Sequence, residues 1–448
     1  MGRLFGTDGV RGIVNKELTP ELAFKIGRAG AYVLTSANAK PKILVGCDTR
    51  ISCGMLEAAL IAGICSVGAD AVLIGVVPTP AIAHLVRAEN ADAGVVISAS
   101  HNSFEHNGIK YFNGDGYKLS DEIEERIEAI ILDNAEEIVV PVAESIGRIS
   151  RAPELAEKYI KFAISTVSTE FDGLKVALDC ANGAASTTAK TAFQALGADV
   201  HVINDNPNGI NINANCGSTH MEELTEFVKK IGANVGIAFD GDADRTLMVD
   251  ENGSMVDGDK IMLMLANDYK TKGTLKNNTL VATVMSNLGL FVAAKELGID
   301  VLTASVGDRY VLEEMIKGGH SIGGEQSGHV ILLGHNTTGD GLATALAVVQ
   351  LMKQSGKKLS ELAKIMDVYP QIMFNAIVQN ENKSKLHTDE EINRAIGQAE
   401  ERFKGTGRVL VRASGTEPLI RVMIEGQDID KITESAKELA ELIESKLG

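Results

Sequence analysis

The sequence predicts an α/β protein: three tandem related α/β domains with mixed, mostly parallel sheets, plus a smaller C-terminal α+β domain, arranged around a central cleft. Three observations predict it. Short apolar runs of strand type alternate with helical stretches from residue 42 to residue 352, the pattern of parallel sheets covered by helices. One order of elements returns three times, and after its third strand each copy presents an unusual polar loop. From residue 371 the pattern changes to alternating strands around a glycine-containing loop, closed by a long helix. Ligands of parallel sheets bind beyond the carboxyl ends of the strands, so three equivalent loops are expected to share one cleft. A chain of 448 residues has room for several domains with real cores.

The elements follow in order. A glycine-punctuated opening, Phe5-Gly6-Thr7-Asp8-Gly9-Val10-Arg11-Gly12, precedes a helix that begins at Thr19-Pro20, with Thr as cap and Pro at the first helical position. Residues 42–46 read as a strand, 52–67 as a helix and 71–75 as a strand. A helix opened by Pro78-Thr79-Pro80 runs to about 89, and the strand 94–98 delivers a loop at Ser100. Asn113-Gly114, flanked by 109–112 and 117–119, signals a hairpin, and a helix over 120–132 closes the first copy. The second copy has strands at 175–179, 199–203 and 235–239, helices at 184–196 and 221–231, then Asp240-Gly241-Asp242-Ala243-Asp244-Arg245 and a hairpin turning at Asn252-Gly253. The third has strands at 279–283, 301–303 and 321–323, with helices running to Leu297 and over 309–317. Gly324-Glu325-Gln326-Ser327-Gly328-His329 follows, then a strand at 330–333 and a helix at 341–352. The last segment has strands at 372–378, 408–411 and 419–424 and helices at 388–403 and 430–447. Domain boundaries are expected to give 1–152, 153–255, 256–370 and 371–448.

Composition narrows the function. A formal charge of -17, no Trp and 4% aromatic residues argue against a nucleic-acid or anionic-membrane partner, since both need basic surface. No apolar run approaches a membrane span and no signal peptide is visible, so a cytoplasmic location is expected. The five cysteines show no CxxC, and three of them lie in or beside apolar runs, which reads as reduced, buried thiols.

Chemistry concentrates in the loops. Asp240, Asp242 and Asp244 alternate with small residues, so an extended backbone turns all three carboxylates to one side. Crowded carboxylates need a cation, and oxygen-only ligands suit Mg²⁺ or Ca²⁺. Arg245 directly after them suggests that an anion is handled there too. Ser100, beside His101, lacks the elbow of a Ser-His-Asp hydrolase. If Ser100 carries a phosphoryl group, the three Asp and one phosphate oxygen would hold the metal. Lys110 then becomes a candidate to polarise or deprotonate an incoming hydroxyl, its pKa lowered by a cation such as Arg11. Arg412-Ala413-Ser414-Gly415-Thr416-Glu417-Pro418 with Arg421 offers hydroxyls, backbone N–H groups and two guanidiniums, the composition of a phosphate-gripping loop. No Walker motif is present. Glu325 and Ser327 suit sugar hydroxyls, and His329 suits proton transfer.

These signatures, Ser98-Ala99-Ser100-His101-Asn102, the aspartate loop, the 324–329 loop and the 412–418 loop, occur in the order and spacing of the α-D-phosphohexomutases, and the chain resembles that family along its whole length. Gln326 and the opening segment look like its glucosamine branch. The resemblance implies four domains, Mg²⁺, a phosphoserine at Ser100 and a small phosphosugar substrate. The implied reaction interconverts glucosamine 6-phosphate and glucosamine 1-phosphate through a glucosamine 1,6-bisphosphate intermediate, and that compound or another hexose bisphosphate serves as activator. Arg11, Lys110, His101 and His329 would act in catalysis, and Arg245, Glu325, Ser327, Arg412, Ser414, Gly415, Thr416 and Arg421 would bind substrate. A homodimer is left open, as are two alternatives: a phosphoglucomutase/phosphomannomutase, and a catalytically silent phosphosugar-binding protein. One departure is Ser103, where the family often has Pro; it leaves the loop less stiff and adds a hydroxyl.

Overall fold

The computed structural model describes all residues except 1, 2, 7, 36–39, 415 and 416. The chain divides into two compact units, one of the residues to Met285 with Ile299–Ile365, the other of Ser286–Gly298 with Met366–Gly448.

The first unit holds three sheets built on one plan. In the six-stranded sheet the spatial order is Val10–Ile13, His106–Asn113, Ala93–Ile97, Lys42–Cys47, Asp70–Val76, Ile149–Arg151. The last four strands are parallel, whereas His106–Asn113 runs antiparallel to both of its neighbours. The five-stranded sheet repeats this: Val235–Phe239, Lys175–Asp179 and Asp199–Ile203 are parallel, and Thr246–Asp250 returns antiparallel beside Val235–Phe239. In the four-stranded sheet Ile322–Gly324 lies parallel to Thr279–Thr283, and Val330–Leu332 returns antiparallel beside it. The central parallel strands are continuous apolar runs because both faces are covered; Ala93–Ile97 and Val235–Phe239 are buried at every position. Helices Pro20–Thr35 and Cys53–Ser66 cover part of the first sheet and cross closely through glycines. A Cβ at Gly27 would stand 2.2 Å from the Leu60 carbonyl oxygen.

The strands expected after the three polar loops are present, and the sheets show how they pair. Each loop joins the last parallel strand to an antiparallel neighbour, so each is the turn of a wide hairpin. The hairpin expected at Asn113-Gly114 reduces to a single bridge between Phe112 and Lys118. The helix expected over 184–196 breaks at Thr188 into a 3₁₀ turn and the helix Ala189–Ala195. Helix Leu155–Ser165 and edge strand Ile149–Arg151 went unpredicted.

The second unit contains a three-stranded antiparallel sheet ordered Gln371–Ile377, Leu419–Gly426, Gly407–Ala413. Ile420, Val422 and Ile424 on the central strand pack with Phe403 of helix Glu390–Phe403 and with Ile432, Ala436 and Ile443 of helix Ile429–Leu447. Helix Leu288–Glu296, read as part of the third copy, belongs to this unit: Asn287 donates to the Tyr369 carbonyl at 3.0 Å and to Glu425 at 3.2 Å. All five cysteines are buried and unpaired. Among the described residues, no helix is long and apolar enough to cross a membrane.

Candidate active site

Strand Ala93–Ile97 ends in the buried Ser98 and Ser100. Ser100 takes a left-handed backbone, φ 52°, and its N–H donates to the Ser98 hydroxyl at 3.0 Å. Its own Oγ donates to Asp240 Oδ2 at 2.6 Å and lies 3.4 Å from His101 Nδ1. The serine at the end of one parallel strand thus meets the aspartate at the end of another.

Asp240, Asp242 and Asp244 converge as their spacing predicts, each offering an oxygen within 4.8 Å of the others. Asp242 Oδ2 accepts from Lys110 Nζ at 2.8 Å and from the Thr79 hydroxyl at 2.6 Å. Asp242 Oδ1 and Asp244 Oδ1 are buried with no hydrogen-bond partner. Burial, then Asp244 and Asp242, push the Asp240 carboxyl well above its usual range, while Lys110 overcomes burial and draws Asp242 below it. Unpartnered carboxylate oxygens in a dry, crowded cluster fit a hard divalent cation with oxygen ligands.

The basic groups differ from expectation in one respect. Burial lowers the proton affinity of Lys110, but Asp242 and Asp8 outweigh it, so Lys110 is held above its ordinary value rather than depressed by Arg11. Arg11 is itself ion-paired with Asp8, which also takes Lys110 at 2.9 Å and Lys118 at 2.5 Å. Lys118 pairs in turn with Asp308, and His329 lies 3.5 Å from Asp308 and 3.5 Å from Asp244. Burial opposes the charged form of His329, and Asp244 and Asp308 more than restore it, raising its pKa to about 9. In its neutral form Nε2 accepts the Gly339 N–H at 3.1 Å. His101 goes the other way: burial, Arg245 and Arg11 lower it to about 4, and Arg245 reaches its Nδ1 at 3.3 Å.

A cleft of about 660 Å³ brings Arg11, His101, Arg245, Glu325, Ser327 and His329 to one space. Glu325 accepts the Gly307 N–H at 3.1 Å, Ser327 is exposed, and Gln326 donates to Asp257 at 3.2 Å. A larger hollow of about 880 Å³ beside helices Pro20–Thr35 and Asp121–Asp133 is lined by no serine or histidine, so volume alone does not mark the site.

In the second unit Arg412 and Arg421 face each other directly across antiparallel strands. Arg421 donates to Glu417 at 2.6 Å, and the Ser414 hydroxyl accepts the Glu417 N–H at 3.2 Å. Lys383 ties the loop by donating to the Ser414 carbonyl at 2.7 Å and to the Glu417 carbonyl. Gly415 and Thr416, expected to bind substrate, lie outside the described residues, as does Thr7. Sequence reasoning missed Asp8, Thr79, Lys118, Asp308 and Lys383. Asp8 stood beside Arg11 in the glycine-punctuated opening, which was a signal; the others left none.

Family models described as phosphoglucomutase/phosphomannomutase domains I, II, III and IV match residues 2–138, 157–253, 257–369 and 373–442. A phosphoglucosamine mutase of Caldicellulosiruptor saccharolyticus is 61% identical over all of both chains, and one of Acetivibrio thermocellus is 60% identical, again over all of both. The crystal structure of a phosphoglucomutase/phosphomannomutase family protein from Burkholderia thailandensis superposes with a TM-score of 0.82 at 22% identity, covering 98% of this chain and 97% of that one. Serine, aspartate cage, 324–329 loop and arginine pair occur in a chain matched from end to end, and the chain belongs to the phosphoglucomutase/phosphomannomutase family, the α-D-phosphohexomutases.

Proposed function

We propose that this isomerase interconverts glucosamine 6-phosphate and glucosamine 1-phosphate, with Ser100 as the phosphoryl carrier and domains spanning 1–152, 153–255, 256–370 and 371–448. The substrate follows from the relatives named phosphoglucosamine mutase. The carrier follows from one observation above all: Ser100 Oγ lies 2.6 Å from Asp240, inside a carboxylate cage that has unpartnered oxygens.

Asp240, Asp242, Asp244 and an oxygen of the Ser100-borne phosphoryl group would hold Mg²⁺, whose charge draws electron density from the phosphorus. Ser100 gives its phosphoryl group to the free sugar hydroxyl: the sugar oxygen bonds to phosphorus as the P–Oγ bond breaks. Lys110 and Arg11, both charged, steady the transferring oxygens, and the sugar proton ends on Ser100 Oγ as the P–Oγ bond breaks, with His329 a second candidate to relay it. The resulting glucosamine 1,6-bisphosphate turns end for end, and Ser100 takes back the phosphoryl group from the other oxygen. Arg412, Ser414 and Arg421 grip the phosphate that is not reacting, bidentate contacts being the strength of guanidinium. Glu325 and Ser327 accept and donate to ring hydroxyls. Gathering the positive charge in these places lets a chain of net charge -17 take an anion.

Peptide mass measurement on the isolated protein should find one added phosphate at Ser100. Ser100→Ala should lower turnover on the order of 10⁴-fold even with a trace of bisphosphate supplied. Full turnover by that variant would remove Ser100 from the mechanism, and faster turnover on glucose or mannose 6-phosphate would reassign the substrate.

A further inference from the structure

The Ser100 loop is held by two donors, one from the six-stranded-sheet region of the chain and one from the region of the five-stranded sheet. Arg50, buried and ion-paired with Asp48, points Nη2 at the Ser100 carbonyl at 3.2 Å and at the Asn102 carbonyl at 2.6 Å. Asn213, from the asparagine-rich stretch after strand Asp199–Ile203, points its Nδ2 at the same two carbonyls, at 2.9 Å and 2.9 Å. Ser100 needs such support, because residues with a Cβ enter the left-handed region only where their surroundings hold them there. The aspartate loop presses against the same point. A Cβ on Gly241 would lie 2.6 Å from the Ser100 carbonyl oxygen and 2.8 Å from Asn213 Nδ2. Neither Arg50 nor Asn213 lines the 660 Å³ cleft, so neither is placed to touch a sugar.

We propose that Asn213 and Arg50 are positioning residues of the phosphoryl transfer. By fixing both carbonyls of the loop they keep Ser100 Oγ aimed at the aspartate cage, and so decide whether the phosphoryl group goes to a sugar hydroxyl or to water. The inference rests on Ser100 being the phosphoryl carrier. In the productive step the sugar oxygen bonds to phosphorus as P–Oγ breaks. In the leak a water oxygen forms that bond, one water proton passes to Ser100 Oγ as P–Oγ breaks, and the other leaves on the phosphate as hydrogen phosphate. A loop that wanders loses the first reaction, which demands alignment with a bound sugar, more than the second, which does not.

Asn213 allows a clean test because its own backbone is left-handed, φ 57°. Glycine accepts that conformation, so Asn213→Gly removes the donor without straining the chain. Asn213→Asp keeps shape and backbone but puts a carboxylate where the donor was. The full-length protein, phosphorylated with a hexose 1,6-bisphosphate in Mg²⁺, is assayed for mutase kcat and KM, for inorganic phosphate released per turnover, and for its thermal midpoint. The expected result for both variants is a kcat lower by about 100-fold with KM unchanged, and phosphate release per turnover higher by about tenfold or more. Unchanged kcat would overturn the proposal. So would a fall in kcat with the ratio of phosphate release to turnover unaltered, which is what a general loss of folded protein produces. If the parent chain takes no phosphate on Ser100, the carrier assignment itself fails. If the parent is phosphorylated and the variants keep its ratio, only the positioning role fails.

Discussion

Two regions of the molecule are proposed to take phosphate, and they are built in opposite ways. Around Ser100 the charges are buried, alternate in sign and are fixed by one another: Lys110 sits between Asp8 and Asp242, and Lys118 between Asp8 and Asp308. On the hairpin carrying Arg412 and Arg421, two like charges stand side by side at half-exposed positions, with Glu417 reaching back to Arg421. The first arrangement costs desolvation and repays it in rigidity, which transfer chemistry needs. The second keeps cations in contact with water, and an incoming dianion would relieve their mutual repulsion. The difference teaches that reacting and merely gripped phosphates call for different electrostatics: preorganised and dry for one, exposed and underneutralised for the other.

Matched substitutions break this comparison most sharply. Lys110→Met leaves Asp8 and Asp242 facing each other in a dry site and should cost about 3–5 kcal/mol of stability along with turnover. Arg421→Met should change stability by no more than about 0.5 kcal/mol while raising KM for the sugar phosphate. Denaturant unfolding of the two variants side by side checks the contrast; equal destabilisation would erase it.

A smaller effect should appear with pH. The Asp240 carboxyl is pushed up chiefly by burial, so the metal-free fold holds that proton more tightly than the unfolded chain does. That contribution to stability is complete below the ordinary carboxylate value of about 4 and is lost as pH rises through the raised value. Mg²⁺ binds the ionised form, so adding it to chelator-treated protein should raise the thermal midpoint more at pH 7.5 than at pH 5. A pH-independent increment would mean that the cage does not titrate. The least effect is expected at the hairpin: Glu417→Gln frees Arg421 from an exposed pair worth about 0–1 kcal/mol and should lower KM by at most a few fold. A raised KM would show that Glu417 orients Arg421 rather than restraining it.

The contrast also explains what could be read from the sequence. Strand Val235–Phe239 and the aspartate cage were legible because burial pattern and metal-ligand spacing are local, and the sequence places them at the residues observed. Arg412 and Arg421 were legible because both belong to one hairpin. The ion pairs around Asp8 were not. Asp8 and Lys118 are 110 positions apart, and Lys118 and Asp308 are 190 apart, so no periodicity connects them. The same distance hid Thr79 beneath Asp242 and Asn213 beneath Ser100. That a strand follows each polar loop was legible; that it returns antiparallel beside the last parallel strand was not, because this depends on which sheet edge is open, a property of the whole sheet.

Gly241 carries one more lesson. A Cβ on Gly241 would stand 2.6 Å from the Ser100 carbonyl oxygen, so the aspartate loop has no room to shift toward the serine without displacing it. Laboratory evolution toward a bulkier ion could not widen the cage alone, since the displacement would carry the serine with it. Variants selected for a new ion should therefore acquire paired changes, one among the aspartates and one at Ile212 or Asn213, the side chains that fill the space over Gly241.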